Sequence, residues 1–167
     1  MASAPTWVGK VMGSNVTFRE LGDTVLRHAH NTYTSPTSWR HRSYFFDEGP
    51  DENICEVSLG RMTFAGTEPT DAEFLAYFAP GTRTYSGSNG VIMSANVDGA
   101  DLAETTDLFQ AQPSSSNFSI THVEEIDDGS GVYTLKVRCT FTVRLFTWTG
   151  GSIDVTDGVA VLIFKNE

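Results

Sequence analysis

The clearest pattern in the chain is an alternation of apolar and polar residues across positions 131–148. Successive side chains of a β-strand point to opposite faces of a sheet, so this alternation predicts one long strand with one buried face. Residues 118–123 alternate in the same way, and the segment between the two, 127–131, is rich in Asp and Gly. These turn formers predict an antiparallel hairpin. The apolar set of the long strand is Leu135, Val137, Cys139, Phe141, Val143 and Leu145.

Shorter segments with strand patterns occur along the rest of the chain, separated by polar, Pro or Gly-bearing stretches. Asp157 and Gly158 predict a turn between the last two of them. The predicted segments are residues 16–20, 23–33, 38–46, 54–64, 91–97, 152–155 and 159–164.

One short helix is predicted over residues 71–78, because Thr70 and Glu73 form a capping-box pair and a Pro-Gly pair at 80–81 would end it. Residues 99–117 are predicted to form an irregular crossing loop. The pattern as a whole predicts an all-β fold, either an antiparallel β-sandwich or a calycin-like barrel, with roughly 8–10 strands and at most this one helix. A chain of 167 residues is predicted to form a single β domain over residues 1–167.

Net charge and hydropathy exclude two classes of partner. The chain has 11 Lys and Arg against 21 Asp and Glu, a net charge of −10. This acidity argues against binding to nucleic acid or an anionic membrane surface. No apolar stretch approaches the ~18 residues that a membrane helix needs, so we expect no transmembrane segment. The N-terminus lacks the basic and apolar regions of a signal peptide, which indicates a cytoplasmic protein or a signal absent from this chain.

Two cysteines, Cys55 and Cys139, fit neither a metal-binding spacing nor a disulfide framework. Cys139 shares the phase of the apolar set in its strand, and Cys55 is in phase with Val57 and Leu59. Both thiols are therefore predicted to point into the core, and we favour two buried free thiols over a disulfide.

The C-terminal half carries a resemblance to a known group of proteins. It comprises SNFSITHVEE at 116–125, an acidic Gly turn, VRCTFTVRLF at 137–146 and GSIDVTDGVAVLIF at 151–164. This succession of strand and turn phrases resembles small secreted lipoprotein β-sandwich domains of Bacteroidota, which are mostly of unknown function. The resemblance implies a periplasmic, cell-surface or extracellular sandwich with no catalytic residues to carry over. A cytoplasmic location is the alternative.

Three of the four histidines suggest a metal site. His28 and His30 stand two apart on a predicted strand and would share a face, and His41 on the next strand could supply a third ligand. No cofactor is expected otherwise, and a divalent metal at these histidines is the alternative. Partly buried or surface histidines would show the same pattern.

Basic residues concentrate near the N-terminus, where residues 1–46 contain five Lys and Arg against two Asp and Glu. Arg27, Arg40 and Arg42, with Trp39 as an aromatic platform, could bind an anionic glycan or a carboxylate. The alternative is a set of solvated strand faces paired with acidic neighbours.

The absence of a nucleophile elbow, a phosphate loop or a zincin motif favours a non-enzymatic role. We therefore expect a binding or interaction module with an unknown glycan, protein or cell-surface partner, located outside the cytoplasm. One alternative is a metal-dependent enzyme on a β-barrel that uses the histidine cluster. The other is a barrel that carries a small apolar ligand.

Overall fold

The computed structural model describes residues 5–11, 13–19, 24–34, 37–47, 54–86, 89–96, 103–105, 111–147 and 149–167. These residues form twelve strands and one helix, which confirms the all-β prediction. In chain order the elements are β1 (Thr6–Val11), β2 (Ser14–Arg19), β3 (Thr24–Thr34), β4 (Thr37–Asp47), β5 (Ile54–Ser58), β6 (Met62–Thr63), α1 (Asp71–Tyr77), β7 (Gly81–Arg83), β8 (Ile92–Asn96), β9 (Ala103–Glu104), β10 (Asn117–Ile126), β11 (Thr134–Thr147) and β12 (Ser152–Lys165).

The strands form two antiparallel sheets that pack together as a sandwich. The first sheet has the order β2-β1-β12-β11, with β10 beside β11 and β7 beside β10. The second has the order β8-β5-β4-β3, with β6 beside β4, and the short β9 pairs with both β11 and β8. Among the described residues no ladder joins the end strands β2 and β3, so of the two predicted architectures the structure shows the sandwich and not the closed barrel.

The hairpin of β10 and β11 forms as the alternation predicts. The six apolar residues of β11 named above are all buried, because they share the face that looks into the sandwich. Cys55 and Cys139 are both buried and free, as predicted. Burial raises the pKa of the Cys139 thiol to about 12, so this thiol stays protonated at neutral pH.

The prediction of two strands separated by a turn at Asp157 and Gly158 is wrong, because β12 runs through both residues as one strand. The pairings of β12 with β1 and with β11 both shift register at this place, which is the signature of a β-bulge. Asp157 has a φ of 53°, a left-handed conformation that Asp tolerates better than most residues. Gly158 lies under the ring of Phe141, where a Cβ atom would come within 2.2 Å of Cε2.

The predicted helix is confirmed as α1, one residue shorter at its C-terminal end. Thr70 and Glu73 form the capping box in both directions. The helix packs against both sheets, because the Phe74 ring lies 5.0 Å from that of His41 and the Phe78 ring lies 4.6 Å from that of Phe164. No helix of the described residues is long and apolar enough to cross a membrane.

Other strands differ from the predictions at their boundaries. The strand predicted over residues 54–64 is two strands, β5 and β6, and β1 is a strand that the pattern missed. The predicted crossing loop at 99–117 contains β9 and the start of β10, and residues 99–102 and 106–110 lie outside the described part.

Candidate functional site

The hairpin of β3 and β4 contains every residue that was predicted from the sequence to bind a metal ion or another ligand. These residues are divided between its two faces. The two strands pair without a register shift, with His30 opposite His41 and Arg27 opposite Tyr44. Residues opposite each other in an antiparallel pair project to the same face. The inner face of the hairpin, towards the first sheet, therefore carries His28, His30, Trp39 and His41. The outer face carries Arg27, Arg40 and Arg42.

The three histidines come together on the inner face. His28 Nε2 lies 3.3 Å from His41 Nδ1, and the His30 ring lies 5.8 Å from the His41 ring. His41 is fully buried against Phe74, while His28 and His30 are partly exposed. His28 also contacts Phe164 of the first sheet, edge to face at 6.1 Å. The histidine cluster thus lies between the sheets and α1.

Several polar atoms of this inner face are buried without a hydrogen-bond partner among the described residues. They are His28 Nδ1, His41 Nε2 and Ser43 Oγ, and Ser43 is the residue opposite His28. A single hydrogen bond between the two facing imidazoles satisfies one nitrogen of each ring, so the other nitrogen of each stays unsatisfied in either tautomer. Buried polar atoms are normally paired, which makes this inner face unusual.

Burial keeps both facing histidines neutral. Loss of hydration, with smaller contributions from the charges of His28 and His30 when these are protonated, lowers the pKa of His41 to about 3. Burial likewise lowers the pKa of His28 to about 4, with smaller contributions from His30 and from Lys165. At neutral pH each ring therefore offers an unprotonated nitrogen.

The metal prediction named His28, His30 and His41, and the structure brings these three residues together. In the described part of the chain, however, no group of three His, Cys, Asp or Glu side chains is arranged to hold a metal ion. The ring of His30 instead stacks on that of Trp39, with centroids 4.1 Å apart. Two of the three predicted ligands face each other and the third points to a different partner.

The predicted aromatic platform is not on the face of the arginines. Trp39 is only 5% exposed and lies among the histidines, so it cannot present its ring to a ligand held by Arg27 and Arg42. Arg40 is 8% exposed and donates to the carbonyl oxygens of Leu59 and Gly90, each at 2.8 Å. These contacts indicate that Arg40 fastens two loops to β4.

The outer face nevertheless presents arginines to solvent beside tyrosine rings. Arg27 is exposed, and Arg42 lies 5.7 Å from the ring of Tyr44 and 3.8 Å from a carboxylate oxygen of Glu56. Arg61, which precedes β6, stacks on Tyr33 at 3.9 Å. The Nε atoms of Arg42 and Arg61 have no hydrogen-bond partner among the residues described. We call Arg27, Arg42, Arg61, Tyr33 and Tyr44 the outer arginine face.

Sequence reasoning missed Arg61, Tyr33 and Tyr44. Tyr33 and Tyr44 could have been found by strand parity, because each is an even number of residues from an arginine that the sequence nominated on the same strand. Arg61 could not have been found in this way, because it lies between β5 and β6, outside any strand. Its contact with Tyr33 is visible only in the folded structure.

No protein-family model, curated protein or solved structure matches this chain. The resemblance to secreted Bacteroidota sandwich domains therefore stays a prediction.

Proposed function

We propose that the protein is a non-enzymatic binding module that recognises an acidic glycan, outside the cytoplasm, through its outer arginine face. The observation that carries this proposal is the placing of Arg27, Arg42 and Arg61 on one face of one sheet in a chain with a net charge of −10. A guanidinium group binds carboxylate and sulfate oxygens through two parallel hydrogen bonds.

The register supports joint action by these arginines. Arg27 pairs with Tyr44, which is two residues from Arg42, so Arg27 and Arg42 are diagonal neighbours with Cα atoms about 7–8 Å apart. Met62 of β6 pairs with Trp39 of β4. Arg61 directly precedes Met62, so the antiparallel register places Arg61 beside Arg40. Charged groups at this spacing suit the repeating acidic groups of a polysaccharide.

The tyrosines supply a surface for sugar rings. Tyr33 and Tyr44 are partly exposed on the same face as the arginines and offer apolar ring faces with a hydroxyl at the rim. Arg61 and Arg42 lie over the rings of Tyr33 and Tyr44, and these contacts limit the orientations of the two guanidinium groups. Glu56, beside Arg42, gives selectivity against ligands with closely packed negative charge.

The test is binding of the full chain to immobilised polygalacturonate and heparin, compared with a neutral glucan. The Arg42→Ala/Arg61→Ala double variant is expected to raise Kd by about tenfold or more, because each lost charge-assisted hydrogen bond contributes about 1.5–3 kcal/mol. The matched control is Lys136→Ala/Arg138→Ala, which removes two positive charges from β11 in the other sheet. An equal loss of affinity in both double variants would mean that binding depends on net charge and not on the outer arginine face. Absence of binding by the wild-type chain would reject the proposal.

A further inference from the structure

The facing nitrogens of His28 and His41 form a hydrogen bond that is long enough to compare with the spacing of two ligands on one metal ion. Their separation of 3.3 Å exceeds the usual 2.9–3.0 Å of an N–H···O bond. It agrees with the spacing of about 3.3–3.4 Å that two nitrogens have when each is 2.0–2.1 Å from one tetrahedral ion. The distance between the two nitrogens therefore fits shared ligation of one metal ion.

The surroundings of the pair favour a soft or borderline cation. His41 is 0% exposed, so an ion at its Nδ1 atom would lie away from bulk solvent. The ring protons would then be on His28 Nδ1 and His41 Nε2, the two nitrogens that do not face each other. The side chains around His41 include the aromatic rings of Phe74, Tyr77 and Phe78. Imidazole ligands in such a setting select zinc, copper or nickel over magnesium or calcium.

A third ligand is within reach on the same strand. His30 is opposite His41 in the register, its ring lies 5.8 Å from that of His41, and it is partly exposed. Rotation of His30 away from Trp39 would forfeit one stacking contact and would bring a third imidazole towards the facing pair. Because His28 and His30 both reach the surface, an ion has a route to the buried His41.

We propose that His28 Nε2 and His41 Nδ1 bind one divalent transition-metal ion of the zinc class, with His30 as a third ligand after a side-chain rotation and solvent completing the coordination. This site is on the opposite face of the β3 and β4 hairpin from the outer arginine face. The two proposals are therefore independent, and either can fail without the other.

The experiment is calorimetric titration of the full metal-free chain with ZnCl2 at pH 7.5, followed by a Co²⁺ titration read by visible absorption. We expect one ion per chain and a Co²⁺ spectrum typical of tetrahedral nitrogen ligation. His28→Ala and His41→Ala are each expected to weaken binding by more than about tenfold, and His30→Ala to weaken it by less. The control is His122→Ala, which removes an exposed histidine of β10.

Several results of these titrations would overturn the proposed metal site. No heat with Zn²⁺, or binding that persists in His28→Ala, overturns the site, as does binding that is lost only in His122→Ala. If His41→Ala does not fold by circular dichroism, the partly exposed His28 supplies the deciding variant. A Co²⁺ spectrum of an octahedral aquo ion in the wild-type chain would also overturn the proposal, because it would show that the imidazoles do not ligate.

Discussion

Strands β11 and β4 have corresponding central places in the two sheets, yet they present different surfaces to the space between the sheets. The inner face of β11 consists of apolar side chains and the Cys139 thiol. The inner face of β4 carries His41 and Ser43 between the larger rings of Trp39 and Phe45. Burial of apolar groups stabilises a fold, whereas burial of polar groups without partners destabilises it. Strand β11 therefore stabilises the fold, whereas the polar atoms on the inner face of β4 that lack partners among the described residues lower its stability.

The largest effect that this comparison predicts comes from truncating the inner face of β11. Phe141→Ala is expected to lower the free energy of unfolding by about 3–5 kcal/mol, since it removes a buried ring and leaves a cavity. The ring contacts those of Trp7 and Phe118 and covers Gly158, so three strands lose packing at once. Urea denaturation at pH 7.5 measures the change.

Leu75→Ala is the control for this truncation, because Leu75 is 42% exposed on α1. Its change is expected to stay within about 0.5 kcal/mol. A loss below about 1 kcal/mol for Phe141→Ala would contradict the comparison, because it would show that β11 is not the better packed strand.

The second effect is a pH dependence of the free energy of unfolding, and it arises from His28 on β3 and His41 on β4. The folded-state pKa values of His28 and His41, about 4 and about 3, lie below their usual 6.5, so between those values the unfolded chain binds more protons than the folded one. The full stability of the folded chain is therefore present above about pH 6.5, and the free energy of unfolding falls as the pH is lowered below this value. Between pH 7.5 and 5 we expect a loss of about 2 kcal/mol for each histidine as an upper limit, and about 2–4 kcal/mol in total.

Urea denaturation in EDTA at the two pH values measures this loss without any bound metal. The groups whose charge acts on the pair are His30 and Lys165, and both disfavour its protonation. The His28→Leu/His41→Leu double variant is expected to lose most of the pH dependence. A double variant that keeps the wild-type slope would place the titrating groups elsewhere.

The sequence predicted β11 well and the inner face of β4 only in part, for physical reasons. The burial of β11 follows from its own alternation, because a strand with one apolar face has only one way to lie on a core. The meeting of His28 with His41 depends on the register of β3 against β4, which a single strand does not encode. Parity along β4 alone already separates Trp39 from Arg40 and Arg42, so that part of the binding prediction could have been corrected from the sequence.

The bulge in β12 shows the limit of local turn signals. Asp-Gly is a strong hairpin signal between two apolar runs. At Asp157 the neighbours β1 and β11 pair on both sides of the residue, and they hold the chain in a continuous strand despite its positive φ. Whether Asp-Gly forms a turn or a bulge is therefore decided by pairing partners that lie far away in the sequence.

The smallest expected effect on the free energy of unfolding is a gain in stability, opposite in sign to the other two. The His28→Leu/His41→Leu double variant is expected to raise the free energy of unfolding by about 1 kcal/mol at pH 7.5 in EDTA. It removes the facing pair together with the two nitrogens that lack partners among the described residues, and it leaves apolar side chains beside Phe74 and Phe164. The single His41→Leu variant is expected to gain less, because it deprives His28 Nε2 of its neighbour. A double variant that is less stable than the wild-type chain would mean that the imidazoles stabilise β4. If the double variant is more stable, these histidines are retained at a cost to the fold, as expected of residues that bind a ligand.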